Sequence, residues 1–91
     1  MPRVASPAAA HIGAHIIRFR TSSGLTQDEL AADTGIDSSN IRAYENGRAM
    51  PSVHTLMRIA DALGVPPADL LEGLRLEMFT TSPVDKRRRA G

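Results

Sequence analysis

A chain of 91 residues allows one domain, and if both ends are loose the ordered part is about 60–65 residues, a size at which a partner subunit often adds stability. It has no cysteine, which excludes disulfides and thiolate–zinc sites, and its net charge is only +1. No apolar run reaches membrane-spanning length and residues 1–17 lack a signal-peptide core, so the expected residence is cytoplasmic and no membrane partner is expected.

The distribution of charge says more than its sum. Residues 1–25 carry Arg3, Arg18 and Arg20 and no acid, whereas residues 26–50 carry Asp28, Glu29, Asp33, Asp37 and Glu45 against Arg42 and Arg48. A basic run, Lys86 to Arg89, lies near the end. Without a strongly basic core, any binding to nucleic acid must rest on a few placed contacts and symmetry.

Residues 1–9, with Pro2, Pro7 and several small side chains, are expected to form a disordered arm. The folded domain is placed at residues 10–73, although the first helical pattern reaches back to about residue 8 and runs to 22. Ile12, Ile16 and Phe19 form its inward stripe, and Ile17 lies off it. His11 and His15 are four apart on one face and could share a metal, but no acid or third ligand accompanies them in sequence. The expectation is two solvent-facing histidines, with no metal and no cofactor.

Gly24 closes this helix. Thr26 can cap the next, over residues 27–34, with Asp28 and Glu29 at the positive end of its dipole. Gly35 suits the left-handed turn that ends it, and Asp37 is a capping candidate for a third helix over residues 38–46. On that helix Ile41 and Tyr44 mark the buried side. Two short helices joined by a glycine-containing turn make the helix-turn-helix pattern. Ser52 can cap a fourth helix, VHTLMRIADAL, with Val53, Leu56, Ile59, Ala60 and Leu63 inward and His54 and Arg58 solvated. A fifth is expected over residues 67–72, opened by Pro67 and anchored by Leu70 and Leu71.

Residues 74–82 leave two alternatives. Leu74, Leu76 and Met78 alternate with Arg75 and Glu77, a strand period that would need a twin from a second subunit; otherwise the segment continues the fifth helix. Either way its apolar side chains lack an obvious home in a monomer, so a dimer contact is expected. Residues 83–91 read as a basic, disordered tail.

GLTQDELA (24–31), Gly35, Ile41, YENG (44–47), PSVHTL (51–56) and IADALGV (59–65) stand in an order and spacing that resemble the Xre-type, lambda-repressor-like helix-turn-helix proteins of bacteria and phages. The resemblance spans roughly residues 12–72. It implies an all-α fold, a compact five-helix domain with a short C-terminal extension. It implies that Arg20 pairs with Glu45, tying the end of the first helix to the end of the third, and that Gln27 binds a backbone phosphate. Pro66 departs from the family, which commonly has a capping serine or threonine there.

In this motif the third helix meets base edges in the major groove while the second crosses the backbone. Ser38, Ser39, Arg42 and Ala43 occupy its outward face. Ser39 can donate or accept, Arg42 can reach a guanine or a phosphate, and Ala43 can touch a thymine methyl. Asn40 is a weaker base-contact candidate, and Ser38 serves equally well as a cap. Thr26, Gln27, Asn46 and Arg48 are the phosphate-contact candidates. The acids Asp28, Asp33 and Asp37 oppose binding unless they point away from phosphates. The resulting expectation is a nucleoid-associated, sequence-specific regulator of transcription, a repressor binding double-stranded operator DNA as a homodimer. The alternatives are an antitoxin that also masks a toxin, or a restriction-modification controller protein. No nucleophile–base set or phosphate loop points to an enzyme.

Overall fold

The computed structural model describes residues 5–79. The chain forms α1 (Pro7–Ser22), α2 (Gln27–Thr34), α3 (Ser38–Glu45), α4 (Val53–Leu63) and α5 (Pro67–Leu70), followed by a 3-10 helix, Leu76–Phe79. There is no strand among the described residues. Residues 1–4 and 80–91, and with them the first four residues of the expected arm, the last three of the 74–82 segment and all of the tail, lie outside the described part.

The start of α1 corrects one expectation. Ser6 is buried and its hydroxyl accepts the Ala9 N–H at 3.1 Å, Pro7 takes the first helical turn, and Ala8 and Ala9 are wholly buried. Ala5 N–H donates to Gly47 O at 2.7 Å. Residues 5–9 therefore belong to the folded domain; three consecutive alanines are small enough to let this end of α1 lie against the turn after α3.

α2 begins with a reciprocal capping box. Thr26 Oγ1 accepts from Glu29 N–H at 3.0 Å while Glu29 Oε1 accepts from Thr26 N–H at 2.8 Å. Gly35, at φ +72°, ends it in the left-handed region, and Gly64, at φ +70°, ends α4 in the same way. Asp37 precedes α3 but makes no side-chain cap, contrary to expectation. Ser52 does cap α4, accepting from Thr55 N–H at 3.1 Å.

Ile12, Ile16, Leu30, Ala31, Ile41, Leu56, Ile59, Ala60, Leu63 and Leu70 make one core, with Phe19, Leu25, Ile36, Tyr44 and Leu74 packed at its edge. Two expected core residues are outside it: Val53 is 77% exposed and Leu71 is 39% exposed. Each sits at the end of a helix, where the chain is turning away from the core. α1 crosses α3 so closely that a Cβ on Gly13 would meet Tyr44 O and lie 2.7 Å from Glu45 O. This is why a glycine stands inside a helix that otherwise has no reason to tolerate one.

Beyond α5 neither expected conformation is present. α5 ends at Leu70, short of the expected residue 72; Gly73, at φ +78°, then turns the chain, and residues 76–79 form one 3-10 turn against α1. Leu74 is half-buried at the edge of the core whereas Leu76 is 60% exposed, so the alternating apolar residues do not share one environment.

Candidate nucleic-acid interface

α3 is divided along its length. Ile41 is wholly buried and Glu45 is 5% exposed, whereas Ser39, Asn40 and Arg42 are exposed. Ser38 and Ala43 are half-buried; Asn46 and Arg48, just beyond the helix, are exposed. The face holding the base-contact candidates is thus open, and nothing from the described fold covers it.

The angle of this helix is fixed from behind by a polar cluster. Arg20 Nε donates to Glu45 Oε2 at 2.6 Å and Arg20 Nη2 to Oε1 at 3.1 Å, with side chains 13% and 1% exposed. A third Arg20 donor, Nη1, bonds Leu25 O at 2.7 Å, and Gln27 Nε2 reaches Glu45 Oε1 at 2.8 Å. A carboxylate nearly sealed from water is tolerable because three N–H groups meet it, two from the planar fork that arginine presents and one from the Gln27 amide. The cluster joins the end of α1, the start of α2 and the end of α3. Among the described residues no buried side-chain nitrogen or oxygen lacks a hydrogen-bond partner.

For Gln27 this geometry alters the expectation. Its amide is tied to Glu45, so one N–H is already used and only the second is available to a phosphate. Thr26, exposed, spends its oxygen on the capping box but keeps its hydroxyl hydrogen. Glu29 occupies the helix end with its carboxylate, so the side chains of Thr26 and Gln27 are better phosphate donors here than the end-on amides.

Asp28 is placed against Arg42, its Oδ1 3.5 Å from Nη2, with the two side chains 78% and 47% exposed. An ion pair this exposed is worth about 0.2–1 kcal/mol and yields readily to a competing phosphate or base. It offsets the charge of Asp28 only weakly, and Asp33 and Asp37 are exposed as well.

Two contacts were not visible from the sequence. Arg58, expected to be solvated, donates from Nη2 to Thr34 O and so closes the C-terminal end of α2. His11 and His15 are not solvent-facing either: both are half-buried and turn their Nε2 atoms to the carbonyl of Glu72, at 2.6 and 2.8 Å. In both cases the acceptor is a backbone oxygen far along the chain, and periodicity gives no sign of such a partner.

A family model described as helix-turn-helix matches residues 16–70. An uncharacterized HTH-type transcriptional regulator of Sinorhizobium fredii is 38% identical over 60 residues, covering 66% of this chain and 78% of the relative. Among solved structures, the restriction-modification controller protein C.AhdI of Aeromonas hydrophila superposes with a TM-score of 0.67 at 31% identity, over 68% of this chain and 94% of that one. The clp gene regulator ClgR of Corynebacterium glutamicum gives 0.68 at 31% identity, over 70% and 82%. Some relatives are longer: the chain spans 37% and 56% of two others.

Proposed function

Because the chain belongs to the Xre-type, lambda-repressor-like helix-turn-helix family of DNA-binding transcriptional regulators, which are not enzymes, we propose that it represses transcription as a homodimer bound to an inverted-repeat operator. α3 enters the major groove. Ser39, Arg42 and Ala43 meet base edges there, with Ser38 and Asn40 at the margin. Thr26, Gln27, Asn46 and Arg48 hold the flanking phosphates. The observation that supports this reading most is the division of α3: a sealed Ile41 and Glu45 beneath exposed Ser39, Asn40 and Arg42.

The test is selection of bound duplexes from a random pool. The expected product is an inverted repeat with half-sites about 34–36 Å apart. Arg42→Ala should then relax preference at one position of each half-site, by about 1–3 kcal/mol if that position is guanine. An unchanged motif would remove Arg42 from base reading, and a pool with no enriched motif would sink the proposal.

A second reading, control of a restriction-modification gene pair, is favoured by the likeness to C.AhdI, nearly all of which this chain covers. Finding the selected operator upstream of a methyltransferase or endonuclease gene would favour it over a general repressor.

A further inference from the structure

The histidine pair on α1 converges closely on one backbone oxygen from the far end of the fold. His11 Nε2 lies 2.6 Å from Glu72 O, His15 Nε2 lies 2.8 Å from the same oxygen, and the two nitrogens are 3.2 Å apart. The rings stand edge to face, at 86° with centroids 4.7 Å apart. A neutral imidazole has one N–H and one lone pair, on different nitrogens. If both Nε2 atoms carry hydrogen, both can donate to the carbonyl, but then two donors face each other. If one Nε2 is bare, it can accept from the other, but its lone pair is then turned on the carbonyl oxygen. No placement of protons on two neutral rings makes all three contacts favourable.

A cation does. We propose that His11 Nε2, His15 Nε2 and the backbone oxygen of Glu72 form one face of a binding site for a divalent first-row transition metal of the imidazole-preferring kind, zinc, nickel or copper. Two histidines four apart on a helix are a known ligand spacing for zinc. With metal–ligand distances of about 2.1 Å, the three observed separations correspond to ligand–metal–ligand angles of roughly 76–99°, as for three adjacent ligands of an octahedral or five-coordinate ion.

The surroundings suit such an ion. Beside His15 lies a cleft of about 300 Å³ also lined by Arg18, Phe19, Asp69 and Glu72, with room for water ligands. Two carboxylates offset the one guanidinium, which itself lies over the Phe19 ring at 5.4 Å. The backbone is arranged for it too. Gly73, at φ +78°, turns the chain directly after Glu72, and a Cβ there would sit 3.3 Å from His11 Cε1 and Nε2. Among the described residues no three His, Asp or Glu side chains converge, so the site depends on a backbone ligand. Such a set binds more weakly than a four-ligand structural zinc site. The bound ion joins α1 to the turn after α5, and so holds the segment that leads to Leu76 and Phe79.

Calorimetric titration of tag-free protein with zinc chloride and with nickel chloride tests this. One equivalent should bind. His11→Ala and His15→Ala should each weaken binding at least tenfold, whereas His54→Ala, on the exposed face of α4, should leave it unchanged. At a metal concentration a hundred times Kd, the unfolding equilibrium constant should fall about a hundredfold in the wild type and stay unmoved in the His11→Ala/His15→Ala double variant. In NMR spectra the Gly73 amide should shift with metal. Absence of binding up to millimolar metal overturns the proposal, as does binding that survives the double variant. An unshifted Gly73 amide on metal binding removes the backbone ligand and overturns the site as drawn.

Discussion

Replacing Arg20 by methionine keeps most of the side-chain volume and removes all three donors that Arg20 supplies. Glu45, with its side chain 1% exposed, then keeps only the Gln27 amide at 2.8 Å. Breaking a buried pair from one side costs about 3–5 kcal/mol, because the remaining charge is stranded. The 75 described residues (5–79) correspond to a total stability of about 4–11 kcal/mol. Arg20→Met is therefore expected to remove about a quarter of it or more, lowering Tm by at least about 12 °C. Replacing both partners, as Arg20→Met with Glu45→Leu, strands no charge and should cost clearly less than the sum of the two single changes. Urea denaturation followed by circular dichroism on the four proteins of this cycle gives the numbers. The reasoning fails if Arg20→Met loses less than about 1 kcal/mol, the range of an exposed pair, or if the double variant loses the full sum.

Gly13→Ala should destabilise despite alanine's better helix propensity. The added methyl meets the Tyr44 and Glu45 carbonyls, so about 1–3 kcal/mol of overpacking outweighs about 1 kcal/mol of propensity; a more stable variant in urea melts would show that α1 and α3 are not in close contact. Leu76→Ser with Phe79→Ser removes two apolar side chains that are 60% and 49% exposed. Light scattering should then show a shift from dimer to monomer, while Tm of the monomer changes little; a wild type already monomeric at high micromolar concentration counts against the proposed dimer contact. Asp28→Asn frees Arg42 of its 3.5 Å neighbour and removes a negative charge from the proposed DNA face. Its affinity for duplexes of any sequence should rise, most at low salt, in fluorescence anisotropy titrations; an unchanged affinity would place Asp28 away from the DNA.

Local signals written next to each other in the chain were enough for α2 and α4. Thr26 with Glu29, Gly35, Ser52 and Gly64 mark helix ends within three or four residues of where they act. For the same reason the open face of α3 was legible: Ile41 and the residues around it alternate between core and solvent at helical spacing. The family motifs also carried the Arg20–Glu45 pair, which periodicity alone would have left as two surface charges.

Only the tertiary structure decided the contacts whose partners are backbone atoms far away in the chain. Gly13 makes sense only where α3's last carbonyls lie across it. Arg58 finds Thr34 O, 24 residues back, and the two histidines find Glu72 O, 57 and 61 residues on. Every residue offers such an oxygen, so no sequence pattern marks the one that a fold will bring into reach; its position depends on how Gly73 turns the chain and how α5 packs on α1. The alternating stretch after Leu74 became neither strand nor continued helix because α5 had ended at Leu70, the left-handed Gly73 then turned the chain, and no neighbouring strand was present among the described residues to pair with it.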